Sequence, residues 1–384
     1  MIVIITNRNI NPGKTDETLF GNDMSDDGLR VAEYKYEITK PENEFDWLVT
    51  DDFDDTDPVE KWTATLYEKG KENDCFDKII QTIQSGDVEA NRPWMMFLHG
   101  NNQDMQSNLV KCRKLSKVHN VNVIAFSWPS QPNTFVKDAK ESALNSVTVD
   151  DLKNLMDGIV PDPATLGLKF LVNLIDEKRE AYEEAKRRAK TTAPAFVESL
   201  SMVKKLFLDK LNAPNQAAPF NLLVHSLGNQ VFQHSNFPAD NSLNDMFTNV
   251  IMHQADVQGD DHASWIHQRM TDVGQHGYVT INYYDWVLFL SNLANGKERL
   301  GMYRQNLDAL NVTYFDFTQG TNVENLHNFF HMTQSQNASI HNLFGNLLKG
   351  QTGLDYSQLD FEKSELGSNV YKLEELEEII DTSD

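Results

Sequence analysis

The chain opens on a β-branched run, Ile2–Thr6, ended by the polar residues Asn7, Arg8 and Asn9, which predicts a short strand. The stretch from there to Pro58 has no sustained period and reads as acidic and irregular. From Trp94 the pattern becomes regular. Trp94–Leu98 is an apolar run stopped by His99-Gly100-Asn101-Asn102, and Leu109, Cys112, Leu115 and Val118 then recur at helical spacing before the apolar run Val121–Phe126. Strand, loop, helix and strand in this order predict a βαβ unit, whose right-handed crossover implies parallel strands. Further strands are expected at Leu222–Val224, with a helix from Asn229, and at Val250–Met252, Tyr278–Tyr283 and Val312–Phe315. The alternation predicts the α/β class, with a mostly parallel central sheet flanked by helices.

One segment interrupts the rhythm. Between Pro163 and Pro214 there is no strand signal. Leu168, Leu171, Leu174 and Ile175 mark one helix face that continues into the charged run Glu177–Lys190, Thr191–Pro194 is expected to break it, and Phe196, Leu200, Val203 and Phe207 mark a second helix. This predicts a helical hairpin inserted as a cap, residues 150–214, in a single domain spanning residues 1–350. Residues 351–384 read as an acidic C-terminal extension with an amphipathic helix over Tyr371–Ile380.

Composition narrows the function. The 384 residues carry 57 acids against 34 bases, a net charge of −23. Nothing supplies the dense basic surface that nucleic acid needs, and anionic membranes are disfavoured for the same reason. Much of the charge is local: Glu42–Glu60 holds nine acids and no base, and Phe361–Asp384 holds eight acids and two lysines. Both runs lie outside the segments that could carry chemistry, so the acidity says little about substrate charge. The acidic loop lacks the glycine and closing glutamate of an EF-hand. Cys75 and Cys112 form no CxxC pair. No basic stretch precedes an apolar one at the N-terminus, and no apolar run approaches about 18 residues. These features predict a soluble cytoplasmic protein without a transmembrane segment.

The sharpest local feature is Leu222-Leu223-Val224-His225-Ser226-Leu227-Gly228-Asn229, an apolar strand running through His-Ser-Leu-Gly into a helix. A nucleophile on such a strained turn projects from the carboxyl edge of a sheet, and small residues two before and two after it let the turn pass its neighbours. Gly228 meets the second requirement; Val224 is bulkier than the first asks. His99-Gly100-Asn101-Asn102 ends an earlier strand and opens a loop suited to a second oxyanion donor, so the backbone N–H groups of Asn101 and Leu227 are the expected pair. A carboxylate and then a histidine should follow on later loops. Asp285, after Ile281-Asn282-Tyr283-Tyr284, and Asp256, one strand earlier, compete for the acid; His327 and His331 compete for the base. Gly13-Lys14-Thr15 lacks the remainder of a phosphate loop, and no GxGxxG follows a strand. His253, Asp256, Asp260, Asp261, His262 and His267 cluster without a ligand rhythm. No cofactor and no metal is expected.

At these residues the chain resembles a bacterial family of uncharacterised α/β-hydrolases. The matching motifs, in order, are His99-Gly100-Asn101-Asn102, Phe126-Ser127-Trp128-Pro129-Ser130, His225-Ser226-Leu227-Gly228, Ala255-Asp256-Val257, Tyr284-Asp285-Trp286-Val287-Leu288 with Ser291, Arg299-Leu300-Gly301 and Leu326-His327-Asn328-Phe329-Phe330, and Thr6-Asn7-Arg8 and Phe20-Gly21 echo its N-terminal strand. The resemblance covers roughly Ile2–Phe330. It implies an α/β-hydrolase fold and a serine hydrolase, esterase- or lipase-like, with Ser226 as nucleophile, Asp285 as acid and His327 as base, acting on a small-molecule or lipid ester or thioester. The chain departs from the family in the long stretch between Pro129 and His225, in Val224, and in Leu326 where the family tends to glycine. Those departures motivate the alternative, an inactive hydrolase fold that binds a protein partner through its acidic tail.

Overall fold

The computed structural model describes residues 1–38, 59–130, 154, 166–211 and 219–373. The acidic run 42–58 and residues 374–384 lie outside them. Thirteen strands are present among the described residues: β1 (Ile2–Thr6), β2 (Arg8–Ile10), β3 (Phe20–Met24), β4 (Arg30–Ile38), β5 (Val59–Tyr67), β6 (Trp94–Leu98), β7 (Asn122–Ser127), β8 (Phe220–His225), β9 (Phe247–His253), β10 (Gly274–Ile281), β11 (Val312–Asp316), β12 (Phe361–Lys363) and β13 (Val370–Leu373). The helices are α1 (Glu72–Gln84), α2 (Met105–His119), α3 (Leu166–Val203), α4 (Gly228–His234), α5 (Ala263–Val273), α6 (Trp286–Asn295) and α7 (Ala338–Leu348).

Eleven strands form one sheet in the order β12-β13-β11-β10-β9-β8-β6-β7-β1-β4-β5, while β2 and β3 pair separately. The run from β13 to β1 is parallel; only β4, β5 and β12 at the margins are antiparallel. The central strands are buried on both faces, which is why they read as continuous apolar runs rather than alternating ones. Successive side chains still divide between two cores. Met96, Leu98, Leu222 and Val224 pack on the face covered by α1, α3, α4, α5 and α6. Met95, Phe97 and Leu223 pack on the face covered by α2 and α7.

The topology locates a site before any side chain is considered. From β6 the chain crosses through α2 to β7 on one side, then returns through α3 to β8 on the other side of β6. The strand order reverses there, and in open α/β sheets the carboxyl ends flanking such a reversal leave a crevice where ligands bind.

Three expectations are corrected. Residues 7–58 are not irregular throughout, because β4 and the small β2–β3 ribbon lie within them and β5 follows directly. The described part of the C-terminal extension, up to Leu373, contributes two strands to the central sheet, and the expected helix over Tyr371–Ile380 begins as strand and otherwise lies outside the described residues. Val370–Leu373 is a strand between β11 and β12, with Val370, Leu373 and Phe361 buried. The inserted hairpin is one continuous helix: α3 runs 38 residues with Pro194 inside it, and continues through a π-helical turn, Lys204–Leu208.

Proline inside a helix costs about 3 kcal/mol, since it removes one backbone hydrogen bond and crowds the preceding turn. Against that, Phe196, Leu200, Val203 and Phe207 are fully buried on one stripe, each burial worth roughly 1.5–3 kcal/mol. The packing outweighs the proline. Phe207 meets Phe76 of α1 and Trp94 at the start of β6, so α3 is the crossover that returns the chain to the sheet rather than a detached cap. Replacing the exposed Pro194 by alanine should therefore stabilise the protein by about 1–3 kcal/mol in urea unfolding. A loss of stability would mean that the proline ends a helix.

Candidate functional site

Ser226 sits between the buried strand β8 and α4, with φ of +52°. A non-glycine residue held there costs of order 1–3 kcal/mol and persists only when its surroundings over-determine it. Here they do. The Ser226 N–H donates to the His253 carbonyl at 3.0 Å, and its own carbonyl accepts from the backbone N–H groups of Asn229 (3.0 Å) and Asp256 (3.1 Å) and from Asn229 Nδ2 at 2.9 Å.

Two glycines make the turn sterically possible. A Cβ on Gly100 would lie 2.6 Å from Ser226 Cβ and 3.1 Å from the His225 carbonyl, and a Cβ on Gly228 would lie 2.6 Å from the His99 carbonyl. The chain after β6 and the chain after β8 are in backbone contact. Val224, which looked too bulky, points instead into the apolar core, so the space beside the serine is made by Gly100.

The loop after β6 is tied to the loop after β7. His99 Nδ1 donates to the Gly100 carbonyl at 2.8 Å, and its Nε2 accepts from the Trp128 N–H at 3.1 Å. The indole N–H of Trp128 returns a bond to the His99 carbonyl at 2.8 Å, and the two rings stack 6° from parallel. Beneath them lies Arg8, fully buried, with all five donors used: Nε to Ser127 Oγ, Nη1 to Asn22 Oδ1 and the Gly21 carbonyl, Nη2 to the carbonyls of Gln103 and Trp128, at 2.6 to 3.2 Å. Burial lowers its pKa to about 9, which leaves it charged at neutral pH. The backbone N–H groups of Asn101 and Leu227 have no acceptor among the described residues. They flank Ser226 in sequence or across the glycine contact.

Of the two acids, Asp285 meets the histidine. His327 Nδ1 donates to Asp285 Oδ2 at 2.6 Å, and both side chains are almost wholly buried. Asp285 also caps α6, its Oδ1 accepting from the Leu288 N–H at 3.0 Å. With its amide oriented so that nitrogen faces oxygen, Gln254 donates to Asp285 Oδ2 at 2.8 Å and to the Gly301 carbonyl at 3.0 Å. The carboxylate is thus held from three elements, which fixes the tautomer of His327 with its proton on Nδ1. His327 lies against the elbow: its ring is 4.9 Å from that of His225, whose Nε2 donates to the His327 carbonyl at 3.3 Å. The Ser226 hydroxyl and the His327 ring are not hydrogen-bonded to each other here; catalytic hydrogen bonds often tighten only once substrate is bound.

Asp256 serves a different group. Its Oδ2 accepts from the Tyr182 hydroxyl and its Oδ1 from Ser291 Oγ, both at 2.6 Å, with Arg299 Nε 3.6 Å away. His331 packs beside Phe330. The polar run around His253 does not converge: His253 bonds Thr280 Oγ1, and His262 bonds the Gly259 carbonyl and the Tyr314 hydroxyl. Among the described residues no group of three His, Cys, Asp or Glu could hold a metal ion.

Gln254, Arg8 and Tyr182 were not recognised as site residues from sequence. Gln254 adjoins Ala255-Asp256 but an amide carries no signature, and Arg8 meets Ser127 across 119 positions. Ser291 and Arg299 stood within matched motifs without a role.

Three buried histidines make the fold acid-sensitive. Burial holds His99 and His225 well below the ordinary 6.5 and lowers His119 to about 3. Below pH 6.5 the unfolded chain therefore takes up protons that the native state refuses, so stability is complete above 6.5 and falls as pH drops toward the native values. Each group contributes up to about 1.4 kcal/mol per pH unit. Urea unfolding at pH 7, 6 and 5 should show this decline, shallower in His119→Gln; a flat profile would contradict it.

Comparison with protein families, curated proteins and solved structures returns no match for this chain. Among the described residues no helix is long and apolar enough to cross a membrane.

Proposed function

We propose that the protein is a serine hydrolase of the α/β-hydrolase fold that cleaves an ester or thioester through an acyl-enzyme on Ser226. The observation that carries this reading is the strained serine at φ +52° on a strand-to-helix turn with the Asp285–His327 pair packed against that same turn. Strain of this kind is retained where it aims a side chain, and the motif order Ser226, Asp285, His327 is that of the hydrolase elbow.

In the first half-reaction His327 Nε2 takes the Ser226 proton as Oγ attacks the carbonyl carbon. Asp285 stabilises the resulting imidazolium without itself taking the proton. The charge that forms on the former carbonyl oxygen falls to the N–H groups of Asn101 and Leu227, worth roughly 3–4 kcal/mol for each donor. The imidazolium then protonates the departing alkoxide or thiolate as the tetrahedral species collapses. Water, deprotonated by His327, attacks the acyl group, and collapse returns the proton to Ser226 as the acid leaves. Arg8 and His99 hold the loop that carries one oxyanion donor, and Gln254 holds the acid, so each group is positioned before substrate arrives.

A fluorophosphonate probe should label the wild-type chain once and leave Ser226→Ala unlabelled. His327→Ala should lower ester turnover at least roughly a thousandfold, and Asp285→Asn by a similar factor, with the fold intact by circular dichroism. Equal labelling of wild type and Ser226→Ala would remove the hydrolase reading. With no labelling, co-purification of a protein partner dependent on residues 371–384 would favour the interaction reading.

A further inference from the structure

Among the described residues Arg8 and Arg299 are both buried, and they are used in opposite ways. Arg8 gives every donor to a protein oxygen. Arg299 is 5% exposed, yet its guanidinium makes no hydrogen bond among the described residues. Its one ionic neighbour is Asp256, with Nε to Oδ1 at 3.6 Å. Hydroxyls also donate to both carboxylate oxygens of Asp256, Tyr182 to one and Ser291 to the other, each at 2.6 Å.

The backbone leaves Arg299 little freedom to find partners. Leu300 N–H bonds the Val257 carbonyl at 2.8 Å and Gly301 N–H bonds the Ala255 carbonyl at 3.0 Å, so the turn is fastened to the segment that follows β9. Gly301 lies so close that a Cβ would fall 2.6 Å from the Ala255 nitrogen. That same segment holds the elbow, through Asp256 N–H to the Ser226 carbonyl. Arg299 therefore leaves a backbone anchored to the segment 255–257, and its guanidinium lies against the carboxylate of Asp256, the residue whose N–H holds the serine turn. A buried guanidinium whose ion pair with Asp256 is 3.6 Å long leaves hydrogen-bonding capacity unused, and donors in a planar fork match a planar oxyanion.

We infer that Arg299 receives an oxyanion group of the ligand, a carboxylate or a phosphate, beside Ser226, making it a specificity-determining residue of the site. The inference rests on the hydrolase reading for its substrate class: an ester whose acyl or alcohol part carries a second, negatively charged group. The position of Arg299 follows from the backbone and does not depend on that class.

The test compares a carboxylate-bearing ester with its neutral methyl-ester analogue of equal length, in wild type, Arg299→Gln and Arg299→Lys. The ratio of kcat/KM for the charged over the neutral substrate should fall roughly 10- to 100-fold in Arg299→Gln and by less in Arg299→Lys, which keeps the charge but loses the fork. A ratio unchanged from wild type would overturn the inference, even if both rates drop together. Calorimetric titration with succinate and with inorganic phosphate tests the site without turnover. Binding in wild type that weakens in Arg299→Gln supports it, and the tighter of the two anions names the group. Absence of binding in wild type, or equal binding in a folded Arg299→Gln, overturns it. If no ester is turned over and Ser226 is unlabelled, the hydrolase reading fails while the titration still decides the arginine.

Discussion

The carboxyl ends of β6 and β8 meet in backbone contact because Gly100 and Gly228 have no side chains. Each glycine faces the other strand's chain, Gly100 the Ser226 Cβ and the His225 carbonyl, Gly228 the His99 and Leu98 carbonyls. A single methyl at either place would fall about 2.6 Å from a heavy atom, closer than van der Waals contact allows. Everything at this end of the sheet inherits that contact. It holds the N–H-bearing loop after β6 over the serine, keeps Ser226 in a backbone conformation it would not adopt alone, and determines where a reacting carbonyl could lie.

Around this contact the polar groups divide into those that build and those that remain available. Arg8 at the start of β2 and His99 and Trp128 after β6 and β7 are joined by hydrogen bonds, and their capacity is spent. Asp285 is likewise held, by the start of α6, by Gln254 and by His327. What these groups position is a short inventory of unspent chemistry: the Ser226 hydroxyl, two backbone N–H groups, and the fork of Arg299. A site of this kind is preorganised by its scaffold rather than by the ligand.

The central strands and the elbow were legible because their determinants are local. A strand buried on both faces must be a continuous apolar run, and a reversed turn with glycine two residues past a serine announces itself in a few positions. β4 was missed because Glu33, Lys35 and Glu37 alternate with apolar residues, the pattern of a marginal antiparallel strand embedded in acidic sequence. α3 was misdivided because Pro194 is a strong local signal, overridden by a stripe of buried residues that only the assembled sheet face reveals. Sequence favours Asp285 as the acid but leaves Asp256 as its rival. Asp256 and Asp285 both follow strands, and the choice depends on Tyr182 and Ser291, which engage the first from helices 74 and 35 positions away.

In the proposed reaction Ser226 Oγ is the atom that carries the acyl group. Rapid acid quench of the full-length protein with an activated ester, followed by peptide mass mapping, reads this directly. The account predicts one acyl group per chain, on the peptide containing Ser226, appearing before steady-state product and disappearing as product accumulates. An acyl group found on another residue, or product formed with none on Ser226, would contradict it.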